Sequence, residues 1–145
     1  MRYLFLMLCL ILCSCEYSEP EGKWGDVIKP SSRELFFGTE GGVDSITTKG
    51  WSWWMHTEVI VEIEDTIRHE DISYILNEKK YLDGEKYLAN DAIYIEGSWF
   101  TVNRPDRKKI IFSVNKNETG KKRMFIISLD AGDYGTGIRV QQSAK

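Results

Sequence analysis

The sequence predicts an all-β domain, built as a sandwich or a barrel, and three observations predict it. Thr57 to Glu64 alternates, with Val59, Val61 and Ile63 on one side and Glu58, Glu62 and Glu64 on the other. A period of two gives a strand one buried and one wet face. The same alternation sets Ile110, Phe112 and Val114 on one face of Lys109 to Val114, and Phe125, Ile127 and Leu129 on one face of Met124 to Leu129. Glycine-bearing turn segments separate these runs: Asn117-Glu118-Thr119-Gly120, then Ala131-Gly132-Asp133-Tyr134-Gly135. Short strands at regular spacing with such punctuation are the mark of sandwiches and barrels.

In chain order, the first element is a leader. Met1 and Arg2 open it, eleven uncharged residues from Tyr3 to Cys13 follow, and Leu12-Cys13-Ser14-Cys15 closes it. A positive start, a short apolar run and small residues before a cut site make a secretion signal. The run falls short of the ~20 residues that cross a ~30 Å bilayer core. Its ending resembles the lipobox of bacterial lipoproteins, in which a dedicated signal peptidase cuts before a cysteine that carries a diacylglycerol. The resemblance implies that residues 1–14 are removed and that Cys15 begins the mature chain, lipidated and held in a membrane.

Removing residues 1–14 from the 145 leaves 131, the length of one domain. Losing Arg2 moves the formal charge from −3 to −4. Nucleic acid is not an expected partner, because phosphate binding needs clustered Lys and Arg, and the one basic run, Lys121-Lys122-Arg123, reads as solvated turn charge. Cys9 and Cys13 leave with the leader and lipid takes Cys15, so no disulfide, cysteine metal site or cysteine nucleophile is expected. Packing alone must hold the domain.

The second element, residues 15–32, reads as a tether, with Pro20, Gly22, Gly25 and Pro30 punctuating it. Glu16, Glu19 and Glu21 beside the anchor resemble the export tags of surface lipoproteins in Bacteroidetes, although an ordinary solvated linker fits them equally. From Arg33 the chain reads as strands: Leu35-Phe36-Phe37, Val43 to Thr48, Thr57 to Glu64, Trp99 to Val102, Lys109 to Val114, Met124 to Leu129 and Thr136 to Gln142. Residues 65–96 break that rhythm. They are charged and hold Tyr74, Tyr81, Tyr87 and Tyr94, and Ile72, Ile75 and Leu76 share a face if Asp71 to Tyr81 forms a short helix.

The order Trp99-Phe100-Thr101-Val102, Ile110-Ile111-Phe112-Ser113-Val114, Asn117 to Arg123, Ile126-Ile127-Ser128-Leu129 and Ile138-Arg139-Val140-Gln141-Gln142 is similar to the Bacteroidetes-associated carbohydrate-binding often N-terminal (BACON) family. Leu35, Phe37, Gly41-Gly42 and Trp51 match it more loosely. The resemblance covers residues 33–64 and 97–143. It implies an immunoglobulin-like β-sandwich of about seven strands over residues 33–145, with residues 65–96 as an insertion. Family members are often spacers beside glycan-degrading modules. On physical grounds the motif residues serve structure: Trp51 and Trp99 can span a core ~10 Å thick, Asn117 can cap a turn, and Arg123 can lay its stem over a sheet and pair with an acid.

Chemistry is sparse. His69-Glu70-Asp71 has the raw materials of a metal or acid–base site but no third ligand at a familiar spacing. Asp130 and Asp133 lie in a Gly-rich loop without EF-hand spacing and read as a turn. No nucleophile elbow, P-loop or dinucleotide motif is present. No catalytic residue, metal or cofactor is therefore expected. Sugars stack on flat aromatic rings, which makes Trp54, Trp24, Tyr74, Tyr81 and Tyr87 the candidate glycan contacts. Asp44-Ser45-Ile46 and Asp65-Thr66-Ile67 resemble the O-glycosylation sequon of Bacteroidetes, with Thr66 the more accessible. The reading is a non-catalytic, lipid-anchored outer-membrane module, surface-exposed if the export tag holds. It acts as a spacer or as an interaction subunit of an outer-membrane protein complex; the alternative is a module that binds a surface glycan.

Overall fold

The computed structural model describes residues 27–50, 52–77 and 91–145. These residues form ten strands and no helix: β1 (Glu34–Phe37), β2 (Gly42–Thr47), β3 (Trp54–Ile63), β4 (Thr66–Arg68), β5 (Ser73–Leu76), β6 (Ala92–Glu96), β7 (Phe100–Asp106), β8 (Lys109–Val114), β9 (Arg123–Ala131) and β10 (Tyr134–Gln142). They make a β-sandwich of two five-stranded sheets, ordered β1-β10-β9-β3-β4 and β2-β8-β7-β6-β5. Pairings are antiparallel except that β1 runs parallel to β10, with Glu34 opposite Arg139 and Phe37 opposite Gln142.

The core follows from the alternation. Val61, Phe125, Ile127 and Leu129 from the first sheet meet Ile110, Phe112 and Val114 from the second, all buried. Phe100 and Phe125 stack across the gap with centroids 3.8 Å apart and planes 12° apart. Trp99, just before β7, meets both rings edge-on at 5.0 and 5.4 Å. Trp53 and Met55 are fully buried, while Trp54 between them is half-buried. One face of that aromatic run is therefore core.

The seven strands read from the sequence are all present, and three more arise from residues 65–96. The expectation of a short helix from Asp71 is corrected: Ser73–Leu76 is strand β5, paired with β6 from Ser73 opposite Glu96 to Leu76 opposite Ala92. Helical spacing of Ile72, Ile75 and Leu76 lost to the open edge of β6, whose backbone groups need partners. Nor is this stretch a mere addition, because Ala92 and Ile95 of β6 are fully buried in the core. β3 turns into β4 through Glu64 and Asp65, both at positive φ (51° and 59°).

The sandwich has two poles. Along β3 and β9, Ile63 sits opposite Arg123 at one pole and Trp54 opposite Asp130 at the other. At ~3.4 Å per residue these rows are about 24 Å apart.

Candidate functional site

Each pole is closed by a tryptophan beneath an arginine. At the Arg123 pole the guanidinium carbon lies 4.3 Å from the Trp99 ring centroid, a cation–π contact. Arg123 Nε donates to Gln142 Oε1 at 2.7 Å, and Nη2 donates to the carbonyls of Asn115 (3.0 Å) and Lys116 (3.2 Å). Gln142 Nε2 in turn donates to the carbonyls of Asn115 and Gly38. Asn117 Nδ2 donates to the carbonyls of Lys121 and Ser143. Trp99 Nε1 donates to Glu70 Oε1 at 3.0 Å. Burial lowers the pKa of Arg123 from the ordinary guanidinium value, and the charge of Glu70 pushes back. Arg123 thus pairs with carbonyls and an amide, while the acid, Glu70, holds the tryptophan.

At the Trp53 pole, Arg104 lies 5.3 Å from the Trp53 ring centroid. Its Nη2 donates to Asp91 Oδ1 at 2.6 Å, and its Nε donates to the carbonyl of Ala92. Asp91 is fully buried and also accepts from the backbone N–H of Met55 at 3.3 Å. Arg107 Nη2 lies 3.5 Å from Asp91 Oδ2, and Arg107 Nη1 donates to the carbonyl of Trp53. Burial lowers the Arg107 pKa. Trp53 Nε1 donates to the carbonyls of Gly50 and Arg107. Among the described residues no buried side-chain nitrogen or oxygen lacks a partner, so these clusters are satisfied structure.

The outer face of the first sheet is different. In one row Trp54, Asp130 and Gly135 lie opposite each other on β3, β9 and β10. Between Met55 and Val59, β3 uses four residue steps where β9, from Leu129 to Ile127, uses two. Such a bulge re-aims side chains, and His56 Nε2 bonds Asp130 Oδ2. Gly135 leaves the adjacent floor bare, and a Cβ there would stand 2.8 Å from Asp130 Oδ1. Toward the Arg123 pole the same face carries more apolar side chains, with Glu62 and Gln141 set among them. Ile60 lies opposite Ile126, and Ile67, Glu62, Met124, Gln141 and Phe36 form the next row. Phe36 is 69 %, Ile67 65 % and Ile60 46 % exposed. A cleft of ≈ 270 Å³ opens at the end of this row, lined by Phe36, Glu62, Met124, Gln141 and Arg123 among others. A second cleft, ≈ 540 Å³, lies against the second sheet, between Ile75, Tyr94, Asn103 and Pro105. There the Tyr94 hydroxyl donates to Glu96 at 3.3 Å, and desolvation, then the Glu96 charge, raises its pKa.

The structure places two of the candidate glycan contacts. Trp54 belongs to the first sheet, while Tyr74, 51 % exposed, belongs to edge strand β5 of the second, so they do not share one sheet. Cys15, Trp24, Tyr81 and Tyr87 lie outside the described residues, as does Trp51. Thr66 is exposed, whereas Ser45 is half-buried beside buried Ile46. His69 is exposed, and among the described residues no three His, Cys, Asp or Glu gather as a metal site. Sequence reasoning missed the His56–Asp130 and Asp91–Arg104 pairs. Only the register of β3 against β9 joins the first, across 74 positions of chain.

No protein-family model matches the chain, and no curated protein matches it. The chain is similar in structure to a protein from Bacteroides thetaiotaomicron solved by NMR, with a TM-score of 0.58 and 23 % identity over 90 % of this chain and 98 % of that one. That likeness shows the fold. A Bacteroides ovatus GH5 xyloglucanase in complex with a XXXG heptasaccharide also aligns, at a TM-score of 0.38 and 16 % identity over 78 % of this chain and 17 % of that one.

Proposed function

We propose that this chain is a non-catalytic module of the BACON kind, anchored in the outer membrane through lipid on Cys15, which works as an interaction subunit of the cell envelope. One observation carries the reading. The Asn117, Arg123 and Gln142 side chains of the motif are absorbed in tying strand ends, whereas Phe36, Ile60 and Ile67 stay exposed on one sheet face. Phe36 and Ile67 lie on the two edge strands of that sheet and Ile60 between them, and large apolar side chains left exposed across one face favour a contact surface. The test is native electrophoresis of detergent-extracted outer membranes. A Phe36→Lys/Ile60→Lys/Ile67→Lys variant with a wild-type circular dichroism spectrum should migrate as the free chain, while the wild type migrates in a larger complex. If the wild type itself migrates as a free chain, the module is a spacer and the interaction reading fails.

A second reading, binding of a surface glycan, has its own observation: Trp54 beside the Asp130–His56 pair, over the bare floor at Gly135. An indole face with one polar pair at its edge suits a pyranose ring. Affinity electrophoresis in gels containing soluble polysaccharides would retard the wild type but not Trp54→Ala. Equal mobility of both in every gel removes this reading.

A further inference from the structure

The two poles differ in charge. At the Trp53 pole, exposed Lys49, Lys108 and Lys109 stand beside Lys29 and Arg107. Backbone hydrogen bonds gather them: the Thr48 N–H donates to the Lys108 carbonyl at 2.9 Å, the Lys49 N–H reaches the Lys29 carbonyl at 3.3 Å, and Thr47 lies opposite Lys109. At the Arg123 pole, Lys121 pairs with Glu64 at 3.0 Å and Lys116 with Glu118 at 3.5 Å. Lys49, Lys108 and Lys109 have no such carboxylate partner among the described residues. Of the exposed acids near them, Asp106 accepts the Lys108 N–H at 2.6 Å, and Asp133 lies in the β9–β10 turn.

The chain from the N-terminus enters the domain at this same pole. Ile28 is fully buried, and the N–H groups of Lys49 and Gly50 donate to its carbonyl at 3.2 and 3.1 Å. A Cβ on Gly50 would stand 2.0 Å from the Val27 carbonyl oxygen, so only glycine lets the entering chain pass this closely. Cys15 precedes Val27 by twelve residues, a span of at most ~40 Å.

We infer that the Trp53 pole docks on the anionic headgroup layer of the membrane that holds the chain's own lipid, with Lys49, Lys108 and Lys109 as its contacts. The inference rests on the lipid-anchor reading for its geometry. Its physics is separate: a lysine near an anionic surface multiplies membrane partition by roughly fivefold, an effect screened within a Debye length. Docking by this pole turns the Arg123 pole, with its cleft, away from the bilayer.

The test is sedimentation of the chain from residue 15 onward, carrying Cys15→Ser so that no lipid contributes, with vesicles of phosphatidylcholine alone or mixed equally with phosphatidylglycerol. The wild-type surface should bind the mixed vesicles only and release at about 1 M salt, where the Debye length is ~3 Å. Lys49→Gln/Lys108→Gln/Lys109→Gln should bind at least about tenfold more weakly. Lys116→Gln/Lys122→Gln, at the other pole, should bind as before. If the triple variant does not fold, Lys108→Gln alone should weaken binding roughly fivefold. Equal binding by the triple variant, equal binding to neutral vesicles, or no binding at all overturns the inference. So does binding that appears only after Glu16→Gln/Glu19→Gln/Glu21→Gln, which would mean that the acidic tether occupies the pole. Membrane fractionation of the unsubstituted protein scores the anchor separately, so either reading can fail alone.

Discussion

Trp99→Ala is expected to lower stability by about 3–5 kcal/mol, because the indole touches Phe100, Phe125 and Arg123 and donates to Glu70. Urea denaturation measures it. A Trp99→Ala chain as stable as wild type but altered in glycan binding would show that the ring serves a ligand. Arg104→Ala should cost a comparable ~3–5 kcal/mol, since it leaves the fully buried Asp91 without its closest cation. An Arg104→Met/Asp91→Leu double variant should lose much less, which a double-mutant cycle would read. Trp99 was legible as a core anchor because a large apolar ring precedes alternating strands. Asp91 was not, since a buried acid looks like a surface acid until its arginine partner is placed beside it. Trp54 was legible only in part: alternation along Trp53-Trp54-Met55 assigns it the face opposite Trp53, but its neighbour Asp130 comes from the register with β9 and His56 borders the bulge in β3.

Among the elements, the turn between β3 and β4 is the most improvable. Two residues at positive φ close a two-residue hairpin, a geometry that Asn-Gly adopts with least strain. Glu64→Asn/Asp65→Gly should raise stability by about 1 kcal/mol, less whatever the exposed Glu64–Lys121 pair contributes. A fall in the urea midpoint would contradict it. Replacing residues 68–95 with a short Gly-Ser linker should abolish folding, read as loss of the β signal in circular dichroism. That deletion removes β5, most of β6 and the buried side chains of Ala92 and Ile95. A folded product would restore the view of this stretch as an ornament on a complete domain. Seven strands were legible from alternation and turn residues; β6 was not, because its buried residues, Ala92 and Ile95, stand three apart. β4 was not, because its three residues are all exposed and carry no period. Nor was β5, whose exposed Ser73-Tyr74-Ile75 exists as strand only because β6 supplies an edge.

For the whole molecule, a sandwich or barrel was readable because the buried faces of β1, β8, β9 and β10 repeat with a period of two, while the pairing order was not, since contacts between distant strands leave no local trace. Cys15→Ser should move the protein from the membrane fraction to the soluble one, and mass spectrometry of the native N-terminus should find diacylglycerol on Cys15; a free thiol there contradicts the anchor. The parallel pairing of β1 with β10 bears on how the domain resists a pull on the ends of its chain. The first strand of the sandwich lies beside the last, and both run the same way over four register pairs, from Glu34 opposite Arg139 to Phe37 opposite Gln142. Pulling the two ends of the chain apart drags these strands past each other lengthwise. The hydrogen bonds between them then carry the load together and in shear, where an antiparallel terminal pair would open one rung at a time. Rupture under tension is governed by the unfolding rate, and a shear clasp raises that barrier. The entering segment at Ile28, held by its carbonyl against Lys49 and Gly50, would yield first and lengthen the leash, and the sandwich would stay shut behind it.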